Sequence, residues 1–186
     1  MNPPPKLDLA RLPTPLQPLD RLSEALGGPR IWIKRDDLTE GAGAGNKIRK
    51  LEFVLADALD QGATALITSG GLQSNHCRAT ALFAAKLGLQ CHLILRGEPA
   101  KTANGNLLLN QLLGASIDYV SDRAFEDLDQ LYDRKAAQLR ALGERPYSIP
   151  IGASDELGLW GYIQAAQELS VDFAAAQIKP SCIVTA

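Results

Sequence analysis

The sequence is short of cysteine. Its three, Cys77, Cys91 and Cys182, form an odd, sparse set without Cys-x-x-Cys spacing, so they indicate neither a disulfide framework nor a zinc site. It also lacks any apolar run near the ~20 residues of a membrane span. The start, from Met1 to Lys6, has no hydrophobic stretch of the secretory kind. A dominant charge is missing too: 19 basic residues face 21 acidic ones, a formal net charge of −2, with no basic block. Neither nucleic acid nor a membrane is therefore an expected partner. Aromatic residues make up only 5 %. Together these absences describe a soluble, reduced, cytoplasmic protein.

What is present supports a packed core. Apolar residues make up 46 % of the 186, and a chain of about 150 residues already buries roughly two-thirds of its extended-chain surface. The length fits one ordinary domain or parts of two. Ala, Leu and Gly dominate, which suits helices packed closely on a sheet.

Periodicity then organises the chain. Residues 1–16 are proline-rich and read as extended. Leu19, Leu22 and Leu26 give a short helical face over 17–27, ended by Gly27-Gly28. Residues 31–34 read as a strand. After the loop Gly41-Ala42-Gly43-Ala44-Gly45, strands and helices alternate. Helices are expected from Asn46 to Gly62, over 73–87, near 104–113, over 123–142 and over 156–177. Strands are expected at 63–68, 91–95, 116–120, 147–149 and 182–184. Such alternation argues an α/β fold, a parallel sheet with helices on both faces.

Two segments carry chemistry. The first is Gly41-Ala42-Gly43-Ala44-Gly45-Asn46-Lys47. It is neither a P-loop, because Asn separates Gly45 from Lys47, nor a dinucleotide fingerprint, because a third glycine would fall at residue 46. With Asn46 as N-cap, Lys47 lies in the first turn of a helix. A first-turn lysine sits near the positive end of the helix dipole, which favours the neutral amine that attacks an aldehyde. The glycines let the backbone approach a flat ring. The plainer alternative is a solvated lysine beside a flexible loop. The second segment is Ser69-Gly70-Gly71-Leu72-Gln73-Ser74-Asn75-His76, which follows an apolar strand and opens a helix. Ligands bind beyond the carboxyl ends of strands in open parallel sheets, and a helix start attracts anions. Ser74 and Asn75 can thus hold a carboxylate or a ring hydroxyl, or Ser74 simply caps the helix. His76 adjoins this segment, His92 and Cys77 read as structural, and Arg35-Asp36-Asp37 reads as a salt-bridged loop anchor.

These segments, with Leu12-Pro13-Thr14-Pro15-Leu16, Ile33-Lys34-Arg35-Asp36-Asp37, Gly45-Asn46-Lys47-Ile48-Arg49-Lys50-Leu51-Glu52 and Ile149-Pro150-Ile151-Gly152-Ala153-Ser154, resemble one family. It is the pyridoxal-phosphate family of D-cysteine desulfhydrase and 1-aminocyclopropane-1-carboxylate deaminase. The resemblance runs over almost the whole chain. It implies a tryptophan-synthase-β-like fold, fold type II, seen here as its N-terminal portion. Residues 1–50 would contribute to the large cofactor domain, 51–160 would form the small α/β domain, and 161–186 would begin the large domain again. Lys47 would hold pyridoxal 5'-phosphate as a Schiff base and, once freed, act as a base. Asn75 would contact the cofactor ring near its hydroxyl. Ser74 would bind the substrate carboxylate and assist proton transfer, with Asn75 and His76 beside the substrate. No metal is implied; a small amino-acid substrate and a homodimer are.

Ser74-Asn75-His76 is closer to the desulfhydrase and sulfo-lyase side, since the cyclopropane deaminases carry Gln after Ser-Asn. The expected reaction is release of pyruvate, sulfide and ammonia from D-cysteine. The deaminase, a cysteate sulfo-lyase, a threonine-dehydratase relative and an inactive truncated fragment serving as an assembly module stand as alternatives. The family chain is longer, and its Gly-rich phosphate loop is expected beyond Ile183-Val184-Thr185-Ala186.

Overall fold

The computed structural model describes residues 2–41, 43 and 45–185. The loop reading at Ala42 and Ala44 therefore lies partly outside the described residues. The order is β1 (Leu16–Pro18), α1 (Asp20–Leu26), β2 (Trp32–Lys34), α2 (Lys47–Asp60), β3 (Ala65–Gly71), α3 (Asn75–Leu87), β4 (Gln90–Arg96) and α4 (Gly105–Leu112). Then follow β5 (Ser116–Val120), α5 (Asp122–Phe125), α6 (Leu128–Ala141), β6 (Pro146–Ser148) and α7 (Glu156–Ala175).

The expected α/β architecture is present. Four parallel strands lie in the order β5-β4-β3-β6. Side chains alternate across β3 as the strand period demands. Leu66 joins a core with Ile48, Leu51, Leu55, Phe83 and Leu107 from α2, α3 and α4. Ala65 and Ile67 face the other way, onto Ala136 and Leu139 of α6. Thr68 and Ser69 continue the alternation. The Thr68 hydroxyl meets His76 of α3, and the Ser69 hydroxyl meets Tyr132 of α6, at 2.8 and 2.9 Å.

The expected strand at 31–34 is present as β2, which pairs antiparallel with β1 in a separate two-stranded ribbon. Two expectations need correction. The helix at 123–142 is two helices, because Asp127 leaves helical geometry (φ −110°, ψ 67°) and its carboxylate caps the second at Gln130 N, 3.2 Å away. Residues 182–184 form no strand and lie exposed. A strand needs a ladder partner, and none among the described residues pairs with them.

The strand order places a reversal at β3. From β3 the chain steps outward to β4 and β5, then returns to add β6 on the other side. At such a switch point the connections leaving adjacent strands part and open a crevice at their carboxyl ends. Here those connections are Leu72-Gln73-Ser74 into α3 and Ile149 to Ser154 after β6.

Candidate active site

Lys47, Lys50 and His76 converge at that crevice. Lys47 opens α2, in agreement with the sequence pattern. Asn46 precedes it, but Asn46 is already helical (φ −63°, ψ −20°) and its side chain makes no cap bond. The turn is set instead by the preceding loop. Gly45 N donates to Asp36 O and to Thr39 Oγ1, both at 3.0 Å, and takes a φ of +120° that favours glycine. Gly43 is buried, and a Cβ there would sit 2.7 Å from Leu82 Cδ2. Both glycines thus have a structural use, in the turn and in packing onto α3.

The rest of the motif locks this lysine in place. Arg49, with its side chain 1 % exposed, donates from Nε and Nη2 to Asp36 and from Nη1 and Nη2 to Glu168 of α7, at 2.8 to 3.0 Å. Its guanidinium is held above its ordinary value: burial opposes the charge, and the two carboxylates outweigh burial. The loop-anchor reading of Arg35-Asp36-Asp37 holds, with Arg35 bound to Asp37. Glu52, fully buried, accepts from Lys6 Nζ and from the backbone N–H groups of Leu9 and Ala10. Gly161 lets α7 approach α2, because a Cβ there would lie 2.5 Å from the Arg49 carbonyl oxygen.

Lys50 is the residue that sequence reading missed. It lies three positions after Lys47, hence on the same helix face; that spacing was the available signal. It is 8 % exposed and donates to Gly152 O at 3.1 Å and Ser154 Oγ at 3.0 Å. Among the described residues it forms no ion pair. Burial and the charge of Lys47 lower its pKa, and Asp155 opposes them at longer range. A buried ammonium beside a second lysine favours an anionic ligand. Gly152 makes room by adopting φ +66°, and its missing Cβ would lie 4.0 Å from Lys47 Cε. Ala153 follows in the same left-handed region at φ 49°, a strained state for a residue with a side chain.

His76 is 3 % exposed. Its tautomer follows from its neighbours. The Thr68 hydroxyl has one proton and gives it to Ile149 O at 2.9 Å, so it accepts from His76 Nε2. Nδ1 is then a bare acceptor, buried and without a partner. Burial, with Lys47 and then Lys50 nearby, pushes the ring pKa down to about 3, so it stays neutral. Ser74 caps α3 through Cys77 N at 3.2 Å. Asn75 is exposed and its Oδ1 accepts from Asn106 Nδ2 at 2.9 Å. The structure thus joins Lys47 to His76 electrostatically and places Ser74 and Asn75 on the turn that carries His76. His92 lies in β4 and Cys77 is buried in the core, its thiol pushed up to about 11 by burial.

Comparison with known proteins identifies the family and the fold. A model of the family described as "Pyridoxal-phosphate dependent enzyme" matches residues 7–186. The chain belongs to that family. It is 46 % identical over 187 residues to a D-cysteine desulfhydrase of Serratia proteamaculans, covering 98 % of this chain and 56 % of that one. It is 51 % identical over 165 residues to a Thermotoga maritima protein provisionally named 1-aminocyclopropane-1-carboxylate deaminase, covering 88 % and 52 %. The chain thus spans about half the length of the curated relatives it matches. A crystal structure of a homologue of that deaminase superposes with a TM-score of 0.81 at 41 % identity, covering 90 % of this chain and 50 % of that one. Diaminopropionate ammonia lyase from Escherichia coli shares the fold at 20 % identity and a TM-score of 0.69. The architecture is that of fold type II.

The family's cofactor fits the residues present. An aldehyde needs an amine, which Lys47 would supply. A phosphate needs buried positive charge, which Lys50, buried and without an ion pair among the described residues, would supply. The unpartnered His76 Nδ1 is a polar atom that only a ligand or water can satisfy.

Proposed function

We propose that the whole protein is a pyridoxal-phosphate-dependent lyase that converts D-cysteine and water to pyruvate, sulfide and ammonia. The observation that carries it is the convergence of Lys47, Lys50 and neutral His76 at the β3–β6 switch point. When bound, pyridoxal phosphate withdraws electrons from the substrate α-carbon. The chain's residues do the rest. Lys47 holds the cofactor aldehyde and, once released, takes the α-proton at Nζ. Lys50 faces the phosphate charge. The free N–H groups at the start of α3, with Ser74, hold the substrate carboxylate. Asn75 faces the ring oxygen, and His76 lies beside the substrate.

The desulfhydrase reading is preferred because His follows Ser74-Asn75 and because several relatives carry that name. The deaminase name on the Thermotoga maritima relative keeps the cyclopropane substrate as the second reading. Residues 1–50 and 161–186 are proposed to belong to the larger cofactor domain and 51–160 to the smaller one. The free thiols of Cys77, Cys91 and Cys182 favour a cytoplasmic location. Among the described residues, no helix is long and apolar enough to cross a membrane. A homodimer is proposed on the family resemblance alone.

The test adds D-cysteine or 1-aminocyclopropane-1-carboxylate to the full-length protein loaded with pyridoxal phosphate. Sulfide and pyruvate from D-cysteine, with a pyridoxyl adduct on Lys47 after borohydride reduction, are the expected results. Ammonia from the cyclopropane alone, or an adduct on another lysine, would sink the proposal.

A further inference from the structure

Four amide side chains meet where the loop before α4 touches the start of α3; backbone groups fix the direction of Gln73 and Asn106, and these two orient Asn104 and Asn75. The N–H of Asn106 donates to Gln73 Oε1 at 2.8 Å, so that end of Gln73 is its oxygen. Gln73 Nε2 accordingly points to Asn104, donating to its backbone oxygen at 3.3 Å and to Oδ1 at 3.1 Å. Asn106 Nδ2 donates to the carbonyl of Gln73 at 2.8 Å, so that end of Asn106 is its nitrogen. The same nitrogen lies 2.9 Å from Asn75, which must therefore present Oδ1. A carbonyl cannot donate and a backbone N–H cannot accept, so no single amide can be turned over without leaving two like groups face to face. Gly105, at φ +51°, lets Gln73 approach: a Cβ there would lie 2.5 Å from Gln73 Oε1.

We propose that Asn106 and Gln73 are positioning residues that hold the Asn75 amide with its nitrogen outward, so that Asn75 acts only as a donor and selects an anionic oxygen on the ligand. The inference rests on the reading that pyridoxal phosphate binds at this helix start, and it names the ring oxygen as that acceptor. The next residue of α3, His76, keeps a buried Nδ1 without a partner among the described residues. An amide free to rotate can offer either end. One locked as a donor favours the ionised ring oxygen over the protonated one.

Isosteric swaps separate the possibilities. Both Asn75 and Asn106 stand in the first turn of a helix, where an aspartate is favoured by the helix dipole. Without the lock, N75D and N106D should be tolerated alike. With it, the new carboxylate in N75D still accepts from Asn106, whereas the one in N106D is set against two acceptors. Thermal melting of the full-length protein should show N75D at or above wild type and N106D lower by at least ~2 °C. Equal melting, or the larger loss in N75D, overturns the lock. Pyridoxal phosphate added to the same proteins then reads the ligand side. The pH midpoint of the visible absorbance band should rise in N75D and, less, in N106D, and N104A should leave it unchanged. An unmoved midpoint in both aspartate variants overturns the ring oxygen as the acceptor. No band in wild type, with melting as expected, sinks the cofactor reading and the choice of ring oxygen with it, and leaves the lock standing.

Discussion

Replacing Arg49 by methionine tests whether one buried guanidinium holds the lysine-bearing helix against α7. Arg49 makes five hydrogen bonds of 2.8 to 3.0 Å, two to Asp36, two to Glu168 and one to Thr14. Methionine fills much of the volume but donates nothing, so two carboxylates lose their main partner. Removing one side of a buried pair costs about 3–5 kcal/mol. The lower end applies here, because Glu168 keeps Lys34 at 3.0 Å and Asp36 keeps the Thr14 hydroxyl at 2.9 Å. For a chain of this size, ~3 kcal/mol lowers the melting temperature by about 6–12 °C. Urea unfolding followed by circular dichroism, with the slope checked for constancy, measures it. R49K should fall between, since an ammonium cannot serve both carboxylates with a planar fork. Acid supplies the sign. Burial raises the Glu168 carboxyl, but Arg49 and Lys34 outweigh it and leave the group below its ordinary value. Its contribution is therefore present above the unfolded carboxyl value of about 4.3 and is lost as pH falls through the lower folded value. The gap between wild type and R49M should narrow over that range. A loss below ~1 kcal/mol at neutral pH would refute the claim that this network clamps α2 to α7.

T68V removes the acceptor of His76 Nε2 and should cost ~1–3 kcal/mol. Nitrogen NMR should find the wild-type proton on Nε2, and a proton on Nδ1 would contradict the assignment. H76Q should flatten the acid limb of the stability profile. A histidine held neutral down to about 3 gives the unfolded chain the extra proton, so stability falls as pH drops from ~6.5 towards that value; an identical acid limb in H76Q counts against it. G161A puts a Cβ 2.5 Å from the Arg49 carbonyl oxygen and 2.7 Å from Lys50 N. Backbone must then move, at a cost of about 1–3 kcal/mol in chemical unfolding, and unchanged stability would mean that the helices are not in close contact.

Much of this is legible in the sequence because it depends on local spacing. The alternation of strands and helices announces the parallel sheet, and strand β5 has the bounds expected from the sequence. The ordered motifs single out Lys47, Ser74, Asn75 and His76. Local spacing fails where a single residue breaks a pattern, as Asp127 does by capping a new helix in the middle of an apparent one. It also fails at 182–184, since an apolar run is a strand only when another strand is beside it.

Lys47 shows where the boundary falls. From order and residue type alone, the chain determined that this lysine opens a helix after a glycine-rich loop, in a pattern resembling one enzyme family. Tertiary structure decided what surrounds it. Arg49 and Glu168 are 119 residues apart in the chain, Lys50 and Ser154 are 104 apart, and Thr68 reaches a carbonyl 81 residues away. Periodicity assigns a side chain to a face, but its partners come from whatever the fold brings against that face. The burial of the Lys50 ammonium, the tautomer of His76 and the direction of the Asn75 amide are all set by such distant partners, so only the folded chain could decide them.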